Sequence, residues 1–222
     1  PPRSTLFPYT TLFRSAKQTL EKLGIVTSDI CVDPHITLGC DPEFFLVDTK
    51  TNILYNPGFL VKKLAPVGYD GMLAELRPNP SISPKKVVEN IKELLTNLNS
   101  LLDTKNLQHV RMIAKSSGWG LYAGFHVHLG IPKHLLIPKD NENYVNILQT
   151  IVKALDYYVG TLSVIAEGND YERRCSPFVA YGKVGDFRAD NYTTLEYRVP
   201  GGTLLKQDRK STRLNSSHGK LS

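Results

Sequence analysis

Cysteine is scarce in this 222-residue chain, with three in all, Cys31, Cys40 and Cys175. Their odd number and wide spacing argue against a disulfide scaffold and fit a reducing compartment. No apolar run reaches the roughly 20 residues that cross a bilayer, so no membrane partner is expected. No secretory signal, internal repeat or low-complexity tract is visible. The chain also lacks a Gly-x-x-x-x-Gly-Lys-Ser/Thr loop and a Rossmann glycine fingerprint. Any nucleotide is therefore held by something other than those two phosphate cradles.

Excess charge is also absent once the ends are set aside. Residues 1–15 and 208–218 resemble in-frame translations of common short-read sequencing adaptors. We expect residues 1–15 and 208–222 to be adaptor-derived tails that pack little against the rest, and exclude them from fold reasoning. They hold six of the 27 Lys and Arg residues but one of the 21 Asp and Glu residues. The remainder, 16–207, carries 21 basic against 20 acidic residues, a net of +1 in place of +6. The high pI is thus no nucleic-acid footprint, and no specific nucleic-acid partner is expected. Residues 16–207 suit a single domain. The expectation is a fragment, truncated towards its C-terminus.

The pattern along that stretch is strands broken by two long helices. Residues 16–23 suit a short helix ending at Gly24. His35–Asp48 alternates as a strand, Thr49–Asn52 turns, and Ile53–Asn56 returns as a hairpin partner. Met72–Arg77 is a further strand, bounded by Asp70-Gly71 and Pro78. Ser83-Pro84 opens a helix, with a capping hydroxyl followed by proline at the first helical position. Its apolar stripe runs through Val87, Val88, Ile91, Leu94, Leu95, Leu98, Leu101 and Leu102. Arg111–Lys115 and Tyr122–Leu129 are two more strands. A second helix spans about Asn141–Ala166, its buried side being Val145, Leu148, Ile151, Val152, Leu155, Val159 and Leu162. Asn169–Tyr192 has little periodicity and suits a loop system, and Thr193–Val199 is the last strand. The fold class expected is α+β, a curved and mainly antiparallel sheet with helices packed on one face.

Polar residues recur two apart on these strands. Asp41 and Glu43 flank Pro42, which removes an N–H and suggests an edge or bulge. His126 and His128 flank Val127, Glu196 and Arg198 flank Tyr197, and Glu75 and Arg77 flank Leu76. Spacing by two places each pair on one face. Any single pair reads equally as solvated acids, one core and one exposed histidine, or a surface ion pair. Four pairs of one spacing in one domain point to a polar floor. Carboxylates with one or two imidazoles and no thiolate suit Mg²⁺ or Mn²⁺ bridging nucleotide phosphates. A nearby arginine suits a transferring phosphoryl group.

Gly39-Cys40-Asp41-Pro42-Glu43-Phe44-Phe45-Leu46 resembles the first metal-binding strand of the glutamine synthetase and glutamate–cysteine ligase superfamily. Gly124-Phe125-His126-Val127-His128-Leu129 resembles its His-x-His strand, and Glu196-Tyr197-Arg198 its late Glu-x-Arg strand. The group most resembled is the phage-type COOH–NH2 ligase type 2 family, and the likeness runs from about Thr37 to Gly202. The resemblance implies a glutamine-synthetase-like catalytic domain, in the cytoplasm of a bacterial host if phage-encoded. It implies that Glu43 holds a metal ion near the acceptor, and that Asp41, His126 and Glu196 hold the ion on the nucleotide phosphates. By the same likeness His128 lies near the nucleotide and Arg198 at the transferring phosphate. Glu75 is a further candidate ligand, and Arg188 could reach phosphate or substrate carboxylate.

The implied reaction is ATP-dependent. A carboxylate is phosphorylated to an acyl phosphate, and an amine or ammonia displaces phosphate to leave an amide. The partners would be a small-molecule or peptide carboxylate and an amine donor, and the cofactors ATP with Mg²⁺ or Mn²⁺. Two other readings stay open. One is a zinc hydrolase in which His126 and His128 bind the metal with Asp41 or Glu43. The other is a truncated, non-catalytic fragment.

Overall fold

The computed structural model describes residues 36–130, 144–168, 172–176, 181–189 and 194–205. The expected helix over 16–23, Cys31 and both end segments lie outside them, as does Asn141–Asn143 of the second expected helix. Strand β1, Thr37–Asp48, is the spine. β2 (Ile53–Leu54) folds back on its end, with Leu54 opposite Val47. β3 (Val67–Asp70) and β4 (Leu73–Leu76) form a hairpin whose turn uses Gly71 at φ +57. A side chain there would be strained, which is why the Asp70-Gly71 pair marks this turn in the sequence.

β5 (Val110–Ile113) pairs with the second half of β1. β6 (Ser117–Gly118) and β7 (Leu121–Tyr122) make a separate small hairpin. β8 (Phe125–Gly130), β9 (Phe187–Arg188) and β10 (Thr194–Tyr197) complete the main sheet, of strand order β3-β4-β1-β8-β10-β9 with β2 and β5 also on β1. Every pairing is antiparallel.

An α+β fold with a large antiparallel sheet is therefore present, but the expected curvature is not. The sheet is open, neither curled nor closed, and its path ends at β3 and β9. The physical reason lies in β1, which changes partner along its length. It pairs with β8 from Thr37 to Pro42, with β4 at Glu43 and Phe44, and with β5 from Phe45 to Asp48. Twist accumulates into curl when long strands pair over their whole length. Here most partners of the spine are four residues or shorter, and the ladder hands over in steps. Pro42 is also not on an edge: it is buried mid-sheet, where pairing with β8 stops.

One face of the sheet is apolar and carries the helices. Cys40, Phe44, Leu46, Ala74 and Leu76 meet Val87, Ile91, Leu98 and Leu102 of helix α1, Pro84–Thr104. Ser83 Oγ caps α1 by accepting from Lys86 N at 3.4 Å. Val88, expected in the buried stripe, is exposed. Leu195, Tyr197 and Val199 meet Leu148 and Val152 of helix α2, Tyr144–Leu155.

The second expected helix is interrupted. After α2 comes a π-turn, Asp156–Gly160, then α3, Thr161–Glu167, and later a short α4, Glu172–Cys175. A π-turn inserts an extra residue per turn, so the facing side shifts by one position. The buried positions become Gly160, Ser163 and Glu167, and Leu162, expected inside, is exposed. Asp156 in that turn accepts from the Tyr197 hydroxyl at 2.7 Å, tying the irregular turn to β10.

Leu98 is almost wholly buried between α1 and the sheet. Leu98→Ala should cost about 2–5 kcal/mol of stability, the range for a buried leucine truncated beside a rigid wall. Urea unfolding followed by fluorescence of Trp119, the chain's one tryptophan, measures it. A loss under about 1 kcal/mol would mean that this helix is not the backing of the sheet.

Candidate functional site

The other face of the same strands carries an apolar cluster at Phe45, Val47 and Leu73 and is polar beyond it, and the register explains why the polar side chains meet. Asp41 is opposite His126, and Gly39 opposite His128, across β1 and β8. Glu196 is opposite His128 on one side and Arg188 on the other. Glu43 is opposite Glu75 across β1 and β4. Since facing residues share a face, all four polar pairs stand on one floor. A cavity of about 750 Å³ opens over it, lined among others by Asp41, Glu43, Glu75, His126, Arg188, Glu196 and Arg198. That volume is in the range of small-molecule sites.

Asp41, His128 and Glu196 each offer a ligand atom within 4.8 Å of the others. Asp41 Oδ1 lies 3.1 Å from His128 Nε2 and 3.0 Å from His126 Nδ1, and His126 Nδ1 lies 3.5 Å from Glu196 Oε1. Asp41 Oδ1 and His128 Nε2 are buried, yet neither makes an aligned hydrogen bond among the described residues. Buried polar atoms that approach closely without such a bond fit a shared cation. Burial alone would raise the Asp41 carboxyl, but the imidazoles of His126 and His128 outweigh it and hold it at about 2. Burial would lower His128, and Asp41, Glu196 and Glu75 turn that into a rise.

Glu43 stands a little apart. Gly124 N donates to its Oε2 at 2.6 Å, and the Tyr181 hydroxyl donates to the same oxygen at 2.9 Å. Burial raises its pKa against these donors and His126. Tyr181 also hydrogen-bonds His126 Nε2. Two guanidiniums lie over its ring, Arg173 at 4.0 Å and Arg198 at 4.5 Å from the centroid. Arg173 is 1 % exposed and donates to the carbonyls of Arg198, Val199 and Pro200.

Arg198 Nε pairs with Glu196 Oε1 at 3.2 Å, and Arg188 Nη1 with Glu196 Oε2 at 3.4 Å. Asp186 is 3.8 Å from Arg198 Nη1. Glu75 is held by Arg77, whose Nη1 donates to the carbonyls of Lys63 and Ala65. Burial, with Asp41, Glu43 and Asp70 nearby, raises Glu75 to about 7 against the pull of Arg77.

Every residue singled out in the sequence thus lies on one floor. The grouping differs in detail: the cluster within 4.8 Å pairs Asp41 and Glu196 with His128. Tyr181, Arg173 and Asp186 were not singled out. They lie in the stretch read as an aperiodic loop, where no spacing rule points at a side chain. Its richness in Arg, Gly and Asp was the available signal.

Residues 38–218 match the phage phiEco32-like COOH.NH2 ligase-type 2 family. The chain belongs to that family, which gives it a ligase-type role in general terms. No curated protein matches it.

The raised Glu75 carboxyl has a sign that can be checked. Folding favours its protonated form, so its contribution is most favourable below about 4.5 and is lost as pH rises towards about 7. Glu75→Gln removes that loss. In chelator, the melting temperature of the variant should gain on the wild type between pH 4.5 and 7.5 and then run parallel. A constant difference across that window would show that Glu75 does not titrate this way.

Proposed function

We propose that this member of the COOH.NH2 ligase-type 2 family joins a carboxylate to an amine at the expense of ATP, on a divalent cation held by Asp41, His128 and Glu196. The observation that carries the metal is the approach of Asp41 Oδ1 to His128 Nε2 at 3.1 Å, both buried and without an aligned hydrogen bond. Two carboxylates and an imidazole suit Mn²⁺ or Mg²⁺. The bound cation would screen phosphate charge while two anions approach each other.

The chain's own residues do the rest. Arg198 and Arg188 flank Glu196 and present positive charge to the cavity that Asp41 and Glu196 also line. Arginine in such a place stabilises charge on a transferring phosphoryl group. Glu43, fixed by Gly124 N and Tyr181, keeps its other oxygen for the acceptor side. The carboxylate oxygen attacks the terminal phosphorus of ATP and ADP leaves. The amine then attacks the acyl carbon, phosphate departs, and the amine gives up a proton.

A second reading has a specific observation in its favour. The cluster of Asp41, His128 and Glu196, with His126 beside it, also fits zinc and a metal-dependent hydrolase. Taken alone, the cluster bears on that reading more directly than on a nucleotide. The arginines favour the ligase, since water activation on zinc has no need of them.

The two readings part in one assay. A ligase releases phosphate from ATP and forms amide only when carboxylate and amine are both present. Arg198→Ala should slow phosphate release about a hundredfold, as loss of a charge-stabilising donor does, without abolishing metal binding. Metal-dependent hydrolysis with no requirement for nucleotide, unaffected by Arg198→Ala, would select the hydrolase.

A further inference from the structure

Tyr181 occupies a built seat. One glycine clears space for it and a second for the Arg173 guanidinium over its ring. A Cβ on Gly124 would come within 2.4 Å of the Tyr181 hydroxyl and 2.3 Å of His126 Nε2. Gly182, at φ +79, would put a Cβ 2.2 Å from Arg173 Nη1. A buried and a half-buried guanidinium lie over the ring at 4.0 and 4.5 Å from its centroid and help to hold its position. Its hydroxyl can then do one thing. It donates to Glu43 Oε2, which already accepts from Gly124 N, and so it must accept from His126.

That directionality sets the imidazole. Nε2 of His126 carries a proton, so that in the neutral ring Nδ1 is the lone pair. Nδ1 faces Asp41 Oδ1 at 3.0 Å and Glu196 Oε1 at 3.5 Å. A lone pair aimed at two carboxylate oxygens is repulsive unless a proton or a metal cation lies between them.

We propose that Tyr181 is a positioning residue that fixes the His126 tautomer, so that Nδ1 joins Asp41, His128 and Glu196 as a fourth ligand of the cation. This rests on the metal reading given above. A hydrogen bond that orients a ligating histidine is worth about ten- to a hundredfold in metal affinity.

The test uses the full chain and Zn²⁺ alone as the probe. Calorimetric titration of the wild type and Tyr181→Phe should show affinity weakened about ten- to a hundredfold in the variant. The phenyl ring keeps its packing against the arginines, and thermal melting checks that the variant folds. In the Zn²⁺-loaded wild type, ¹⁵N shifts of the His126 ring should show Nε2–H with metal on Nδ1. Finding the proton on Nδ1 overturns the proposal whether or not the variant folds. Equal affinity in the two proteins overturns it while leaving the metal reading in place. No binding of Zn²⁺ by the wild type overturns both.

Discussion

Four carboxylates share one face of an open sheet, and the rest of the site is a response to their repulsion. Asp41, Glu43, Glu75 and Glu196 are mostly buried, where water screens poorly and like charges raise one another's pKa. Each is answered differently. Two imidazoles face Asp41, a backbone N–H and a phenol bind Glu43, one arginine holds Glu75, and two arginines flank Glu196. The result pulls like groups far apart, with Asp41 near 2 and Glu75 near 7. Carboxyls so divided between ionised and protonated forms at one pH are what acid–base and metal chemistry need.

The scaffold makes that crowding tolerable by packing the opposite face with largely apolar side chains under the helices and by locking the turn after β10. Glu167 accepts from Gly201 N at 2.8 Å and from Ser116 Oγ at 3.2 Å, and pairs with Arg174. Arg173 holds the carbonyls of residues 198–200. Gly201 and Gly202 approach so closely that a Cβ on either would strike Ser116 or the backbone of Glu43 and Lys115. The backbone that carries Arg198 is thus gripped by buried charge, and the guanidinium that reaches the cavity inherits a fixed origin. Buried Glu167 and Arg173 show the cost of that grip: both are charges that only a dense set of partners makes acceptable.

Much of this was legible in the sequence, for reasons that also explain the misses. Spacing by two on β-branched and aromatic strands placed Asp41, Glu43, His126, His128, Glu196 and Arg198 on one face, because strand alternation is local. The cap at Ser83 and the stripe of α1 were equally local signals. Sheet shape was not local: curvature depends on which strands pair and for how long, and the partner changes along β1 are invisible in a linear pattern. Val67–Asp70, the hairpin at Ser117–Tyr122 and Phe187–Arg188 are too short to show a period. The π-turn could not be read because an apolar stripe of period 3.6 fits either side of it equally well. Tyr181 was out of reach for a different reason, since its partners are 138 residues away at Glu43 and 55 away at His126.

The chemistry of the centre turns on a count of nitrogens. Two carboxylates and one imidazole leave a site dominated by oxygen, which suits a hard ion that keeps several waters. Admitting His126 Nδ1 makes two nitrogens and two oxygens, closer to what zinc and manganese accept. Ligand count therefore does not separate a ligase from a hydrolase. On the proposed ligase reading, charge beside the centre does. Glu196 is paired to Arg198 and Arg188 on its outer side, and both guanidiniums open on the same cavity. A site that only activates water on a cation gains nothing from two more positive charges, which raise the cost of holding the ion. A site that must bring a phosphate and a carboxylate together has two anions to neutralise, and its arginines are then part of the reaction.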